Sequence, residues 1–573
     1  MKIFHVYNEK CFTGLEKNGL LNKDSGFKIQ HMFSMQDRLK FNQFAAKGSK
    51  LHGLIKEGKI PFYVDRLAGG ATWHNYTFDP ALIEEYTGLL GDWFLGFQLH
   101  ESGSNRRVAD WKRILKAFDG SHGPYDKETM CKIMVSDHAK LPDGTPLPSF
   151  SQDTPEFYAT QRFAATPEAY IEEMKDMFRR RMEETGGKIL PCDSYYLATK
   201  LQDDMGLPSF MPEVGCQIPL MRIEVALARG IARKSRKTWG TYYECWRFDE
   251  ESGYTMPCFN DDPINEWYLP QDQHPDDFSS YGHNGGSSRL LQARIYYYTL
   301  MSGADYFSEE WGLNCSYTDM QEFSLSEYGK VKKEFVGKAE KLQGIRAVTP
   351  FAIVLPSRYG CVELPDPYNA RSKGVRSGRY LECDLSKEDT AYYGHVEEVL
   401  DLFFGRLDEA GGNEGHVMTN SRFGDLFDII YDDAPASALT RYAALIDASA
   451  DGGFAAKQPG LNVLTSENLE QLAQQVQNLT KRLDCTVDDL HWLLSEDAAG
   501  NHYVSVFNNE GNHRTFLHGD TIDHGYDRTV TVRLPNASAA EFVHKTEGVT
   551  LQRVDDTTLK LFVPATGFAV LKY

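Results

Sequence analysis

The chain has 573 residues, room for roughly two to four domains, and its 41% hydrophobic content places it among folded rather than disordered proteins. Lys and Arg number 61 against 81 Asp and Glu, a net charge of −20, which excludes nucleic acid and anionic membrane as partners unless a local basic patch offsets the field. A short basic run, "RKSRK" at 233–237, falls at the end of a predicted helix, where cations are favoured in any case.

The opening residues hold no apolar run of signal-peptide length, and no segment reaches the length of a membrane span. The 10 cysteines are scattered without CxxC pairs, so neither a zinc ribbon nor a disulfide scaffold is indicated. The expectation is a soluble cytoplasmic protein. No HxH or HExxH spacing occurs, so no metal and no cofactor is expected.

Short apolar strands alternate with amphipathic helices over residues 1–345. The predicted strands are "KIFHVY" (2–7), "FKIQHM" (27–32), "PFYVDRL" (61–67), "WFLGFQLHE" (93–101), "KILPCDSYY" (188–196), "SFMPEVG" (209–215), "TWGTYYECW" (238–246) and "ADYFSEEWG" (304–312). Helices are predicted over 166–185, where Thr166-Pro167 reads as an N-cap with proline at the first helical position, and over 219–237 and 287–303. Eight strands alternating with helices predict a (β/α)8 TIM barrel. If the first strand precedes the barrel, every later strand moves down by one.

Residues 346–485 restart the alternation: a strand in "PFAIVLPSRYG" (350–360), a helix over 394–411, a strand in "FDIIYDD" (427–433), then a helix-to-strand passage at 439–449. This predicts an open, flavodoxin-like parallel sheet. It has neither GxGxxG nor a P-loop, and "ALIDASADGG" (444–453) offers no cysteine where an amidotransferase would need one, so a non-catalytic domain is expected. Residues 486–573 switch to an alternation of two, with turn residues between the runs, and predict a C-terminal antiparallel β-sandwich.

Four glutamates fall at or near predicted barrel strand ends among aromatic residues: Glu101, Glu213, Glu244 and Glu310. Barrel enzymes carry their chemistry at the C-terminal ends of the strands. Paired carboxyl groups there are what cleavage of a glycosidic bond needs, one to protonate the leaving oxygen and one to attack the anomeric carbon or activate water. A strand-end Glu can equally form an ion pair with a nearby Arg or Lys. Around these stand groups suited to hydroxyls and sugar faces. Asp65 and Arg66 end the third strand, and His100 precedes Glu101, with Asn105 in the following loop. Tyr243 and Trp246 flank Glu244; His283 and Asn284 lie in the glycine-rich loop "YGHNGGSS" (281–288), and Trp311 follows Glu310. Some of these have structural readings too: Asn105 as a helix cap, Asp65-Arg66 as a structural pair, and the 281–288 loop as a helix entry with Ser287 as N-cap.

Barrel, open sheet and small sandwich, in that order over essentially the whole chain, resemble the family 42 β-galactosidases of the clan A glycoside hydrolases. In that clan an Asn-Glu pair ends the fourth barrel strand and supplies the acid/base; His100-Glu101 holds that position here. The nucleophile of those families is a Glu ending strand seven, which the resemblance carries to Glu244; with the strand count lower by one, Glu309 or Glu310 takes that place. Trp311 would correspond to an aromatic residue of the sugar site. The resemblance implies a retaining glycosidase acting on a β-linked sugar, a galactoside being one option, and it implies homo-oligomers, trimers being frequent in family 42. A non-catalytic sugar-binding protein on the same scaffold, and a barrel lyase or isomerase, are the alternatives.

Overall fold

The structure is a computed structural model. It describes residues 1–7, 9–29, 47–69, 79–100, 185–193, 198–215, 221–249, 253–257, 280–282, 284–310, 315–318, 321–357, 387–406 and 410–573, with isolated residues between 172 and 183.

Eight parallel strands close into a barrel: β1 (Lys2–Tyr7), β2 (Ser25–Ile29), β3 (Phe62–Gly69), β4 (Phe94–His100), β5 (Ile189–Asp193), β6 (Ser209–Gly215), β7 (Thr238–Glu244) and β8 (Tyr306–Glu309), in the order β1-β8-β7-β6-β5-β4-β3-β2. "KIFHVY" is thus a barrel strand, "WFLGFQLHE" holds the fourth and "TWGTYYECW" the seventh. Helices α1 (Glu9–Lys17), α2 (Lys50–Gly58), α3 (Pro80–Leu90), α4 (Ala198–Asp204), α5 (Met221–Ser235) and α6 (Arg289–Met301) alternate with them. The strands read as continuous apolar runs because a parallel barrel covers both faces, with helices outside and packed side chains within. Among the described residues no helix is long and apolar enough to cross a membrane.

Packing divides the described chain into two compact units. One holds residues 1–26, 212–357 and 387–573; the other lies within 27–211. In the second unit Phe62 stacks on Phe94 and meets Tyr86 of α3 edge-on, each at 4.8 Å. By alternation Tyr63 and Asp65 then face the other way. Asp65 is fully buried and pairs with Lys28 of β2 at 3.4 Å.

Within the first unit, β9 (Phe351–Leu355), β10 (Phe427–Tyr431), β11 (Ala444–Asp447) and β12 (Val463–Thr465) form an open parallel sheet in the order β10-β9-β11-β12. Helix α7 (Glu327–Ala339) precedes it and α8 (Lys387–Phe404) follows β9. The helix expected over 394–411 therefore starts seven residues earlier and stops at Phe404. Beyond it, strands His491–Glu496, His502–Phe507, Phe568–Lys572 and Glu541–Lys545 make an antiparallel sheet, to whose edge Arg346-Ala347 adds two residues. A second antiparallel sheet holds Thr486–Val487, Arg528–Arg533, Thr558–Val563 and Thr550–Arg553, and Asn512–Thr515 pairs with Gly519–Ile522 as a hairpin.

Helix α5 joins barrel to open sheet. Arg222, Arg229 and Arg233 recur at helical spacing along one stripe. Arg222 donates to the carbonyls of Phe404, Thr419 and Gly424 at 2.9 to 3.1 Å. Arg229 Nε and Arg233 Nη1 donate to opposite oxygens of Asp428 at 2.7 and 2.8 Å, and the Tyr442 hydroxyl adds a third bond at 2.9 Å. Burial alone would raise the Asp428 carboxyl; the two guanidinium charges outweigh it and hold the group below its ordinary range. Between the arginines sits Gly230, where a Cβ would lie 2.2 Å from the Ile429 carbonyl oxygen, so only glycine lets the helix backbone approach β10 this closely.

Removing one member of a buried charge pair leaves its partner uncompensated. Arg229→Ala should lower the unfolding free energy by about 3–5 kcal/mol, whereas Arg346→Ala, at an exposed position, should change it by less than about 0.5 kcal/mol; paired urea melts compare the two.

Beside this junction His491 is fully buried, 3.5 Å from Asp425, and burial followed by the Arg222 charge holds its imidazole down to about 4. The unfolded chain protonates the same group near 6.5. Between those values the unfolded state binds the extra proton, so acidification favours unfolding. Thermal midpoints should fall as pH drops from about 6.5 to about 4, and His491→Gln should reduce the slope of that acid branch by up to about 1.4 kcal/mol per pH unit.

Candidate active site

β7 and β8 run in register, with Tyr242 beside Ser308 and Tyr243 beside Glu309, and the ladder continues as the Glu310 amide donates to the Tyr243 carbonyl at 2.9 Å. Alternation sends the side chains of neighbouring residues to opposite faces. The outer face is fixed by aromatic contacts: Tyr243 meets Tyr296 of α6 at 6.1 Å, and Phe307 meets the same ring at 4.8 Å. Glu309 shares that face, where the Tyr296 hydroxyl and Lys332 of α7 both donate to it. Glu309 is thereby a structural carboxylate of the barrel–helix layer.

The residues that follow turn the other way. Glu244 ends β7 and Glu310 follows β8, so two buried carboxylates, 1% and 2% exposed, stand side by side at the C-terminal ends of adjacent strands. Half-buried Trp246 donates from its indole Nε1 to Glu310 Oε2 at 2.7 Å. This bond fixes the indole plane next to the carboxylate pair, and an aromatic face so placed can stack on the apolar face of a sugar ring.

Glu213 lies on β6, buried, two residues before Gly215. A Cβ on Gly215 would sit 2.1 Å from the Glu244 carbonyl oxygen and 2.8 Å from its Cβ, so β6 reaches the end of β7 without a side chain in between. Glu213, Glu244 and Glu310 thus come from three successive strands of the barrel sheet.

Tyr243, expected in the sugar site, belongs instead to the outer layer, because its odd place in the alternation turns it to α6; its hydroxyl bonds Ser287 Oγ. The helix cap is likewise one residue later than expected. Ser288, not Ser287, caps α6 by accepting from the Leu291 amide at 3.0 Å, while Ser287 bonds back to the Cys245 carbonyl through its amide at 2.8 Å. Asn284 is half-buried and lies against Gly519 of the C-terminal hairpin. Asp65, expected to pair with Arg66, is engaged by Lys28 within its own unit. The strand backbone of Arg66 and His100 is described but their side chains are not; Glu101, Asn105, His283 and Trp311 lie outside the described residues.

Several supporting groups carried no sequence signal. Glu414 accepts from the Ser288 amide and from Asn512 at 2.7 and 2.9 Å. Buried Arg514 donates to the carbonyls of Gly285 and Gly286 at 3.3 and 3.1 Å and to the Tyr328 hydroxyl at 3.0 Å. The loop 284–288, which packs on Cys245 between Glu244 and Trp246, is therefore held from residues more than a hundred positions away in the chain. Cys245 and Cys315, both buried, bring their sulfurs to 3.1 Å. Among the described residues no group of three His, Cys, Asp or Glu is arranged to hold a metal ion.

No family model and no curated protein matches the sequence. Among solved structures, the alpha-L-fucosidase isoenzyme 2 from Paenibacillus thiaminolyticus matches all of this chain and 99% of its own at 10% identity and a TM-score of 0.38. An apo exo-carrageenase GH42 from Bacteroides ovatus matches all of this chain and 79% of its own at 9% identity and a TM-score of 0.35. Scores this low fix neither fold nor function, and the site stands on its own geometry.

Gly215→Ala should force the Cβ into the Glu244 backbone. Overpacking of this kind costs about 1–3 kcal/mol, so the variant should melt at lower temperature than Gly206→Ala, where a Cβ meets open space and only the left-handed backbone opposes it; equal losses would mean that β6 and β7 separate freely at this point.

Proposed function

We propose that the chain is a glycoside hydrolase that cleaves a β-linked sugar with retention of configuration, Glu244 acting as nucleophile and Glu101 as acid/base. The observation that carries this reading is the pair of buried carboxylates Glu244 and Glu310 at adjacent strand ends with Trp246 locked beside them. Glu244 is favoured as nucleophile because it ends the seventh barrel strand, and Glu101 as acid because it follows the last residue of the fourth. Glu310, already accepting from Trp246, then orients the aromatic platform. Glu213 and Asn284 are the further groups offered to hydroxyls, and Asp65, Arg66, His100, Asn105, His283 and Trp311 remain candidates for the same role on their sequence positions.

In the first step the Glu244 carboxylate attacks the anomeric carbon as Glu101 gives its proton to the leaving oxygen. Water then releases the covalent sugar, with Glu101 now taking a proton from it. The two carboxyl groups must stand about 5–5.5 Å apart for this; a separation of about 6.5 Å or more belongs to inversion.

We assign the catalytic groups to the barrel segment, 1–345, and none to the segments 346–485 and 486–573. Asp447 and Ser449, at the end of β11, support that assignment: Asp447 accepts from the Ser449 amide at 3.0 Å and from the Ala455 amide at 2.9 Å, the bonding of a structural turn. β-Galactosides are the first substrates to try, and self-association of the chain is part of the same proposal.

Glu101→Gln should cut turnover of an unactivated glycoside by roughly 10² to 10⁴ while losing much less on one with a very good leaving group, which needs no proton in the first step. Glu244→Gln should lose turnover of both. Proton NMR of the first-formed product should show the substrate's own anomer. An inverted product would overturn the mechanism. Binding of sugars without turnover of any glycoside in a broad panel would replace the enzyme by a carbohydrate-binding protein.

A further inference from the structure

We propose that a basic cavity at the N-terminal ends of β7 and β8 is a binding site for a small phosphate-bearing anion, of the size of a hexose phosphate. The cavity measures about 600 Å³ and lies wholly within the first unit. Lys237 stands just before β7 and Asp305 just before β8, whereas Glu244 and Glu310 stand at the opposite ends of the same strands. The site is therefore separate from the carboxylate pair, and it does not depend on the glycosidase reading.

Its cations come from three parts of the fold: Arg233, Arg236 and Lys237 from the end of α5, Arg346 from the edge of an antiparallel sheet, and Arg441 from the turn before β11. Cations at a helix C-terminus complement the helix dipole without any ligand. That accounts for the first group only and leaves Arg346 and Arg441 unexplained.

Their commitments differ. Arg233 is used: it pairs with Asp428 at 2.8 Å and donates to the Ala347 carbonyl at 2.6 Å. Arg236, Arg346 and Arg441 form no ion pair among the described residues, although Glu496 lies opposite Arg346 in the strand register. The second lining carboxylate, Asp305, is taken by the Trp239 amide at 3.0 Å. Three guanidinium groups without carboxylate partners thus converge on one concavity in a chain of net charge −20. Like charges gathered this way repel one another unless an anion lies between them.

The chemistry of the walls narrows the anion. A guanidinium fork matches two phosphate oxygens at once, which a halide or a single carboxylate cannot exploit from three sides. Val348 and Pro350 add apolar wall beside the cations. The volume lies in the range of small-molecule sites and exceeds what one phosphate ion fills.

Calorimetric titration of the full chain at fixed ionic strength, with inorganic phosphate, glucose 6-phosphate and glucose in turn, tests this. Both phosphates should bind saturably and glucose should not. Tighter binding of the ester identifies the organic body as part of the ligand; equal affinities identify the free ion. Arg346→Ala and Arg441→Ala should each weaken binding by about tenfold or more, with unchanged thermal midpoints in the absence of phosphate. Arg346→Lys should recover part of the loss. No saturable binding of either phosphate at millimolar concentration, or binding that survives both alanine substitutions, would overturn the proposal. Neither result bears on glycoside turnover, so the two readings fail separately.

Discussion

The first unit depends on one buried electrostatic junction, the meeting of α5 with Asp425 and Asp428. A guanidinium taken out of water is tolerated only when its donors and its charge are both matched. Here Arg222, Arg229 and Arg233 meet carbonyls and carboxylates of the segment 404–428, and the Tyr298 hydroxyl of α6 closes the far side on Asp425. Such a junction has directional requirements that an apolar contact lacks. It fixes the rotation of α5 about its own axis and its distance from β10, and through α5 it fixes the approach to β7, which carries Glu244. Burial pushes the Asp425 carboxyl up, but Arg222, His491 and Arg229 prevail and keep it ionised well below its ordinary range.

The candidate site is organised by a simpler rule, the alternation of side chains along parallel strands. Tyr243 and Glu244, neighbours in sequence, serve different layers, and so do Glu309 and Glu310. Glu244 and Glu310 turn away from the helix layer, whereas Glu309 pairs with Lys332 within it. This division separates two consecutive glutamates, Glu309 bonded in the helix layer and Glu310 bonded to Trp246, a distinction that composition leaves open. Trp246 then supplies what the carboxylates lack, a flat apolar surface whose orientation is held by a hydrogen bond and not by packing alone.

The barrel was readable because its strands are short, apolar and bounded by helical periodicity, and because Lys2–Tyr7 sits within the sheet the strand numbering needed no adjustment. The glutamates at the ends of β7 and β8 were readable for the same reason. What sequence could not reveal was the partner of each charge. Arg222 and Arg229 look like the polar stripe of a surface helix and are in fact fully buried, because their acids lie about two hundred residues further on. Arg514 and Asn512 lie in the segment with an antiparallel pattern and Glu414 lies between α8 and β10, none of them in a motif; only tertiary structure brings them to the loop after β7. The mistaken cap at Ser287 has a local cause: two consecutive serines are equivalent candidates until the backbone chooses Ser288.

The Arg514 contacts bear on modularity. Two-stranded hairpins are marginal by themselves, yet this one, Asn512–Thr515 with Gly519–Ile522, presses a guanidinium against the carbonyls of a loop that belongs to the barrel. A gene fragment ending at residue 345 would encode every barrel strand and every candidate catalytic carboxylate, and still leave the Gly286 carbonyl without its Arg514 donor and the Gly285 carbonyl with the Tyr328 hydroxyl alone. The C-terminal region is thus not an appendage that recombination could exchange freely for another module. Any replacement would have to bring its own cation to that loop, so barrel and C-terminal hairpin are expected to be inherited together.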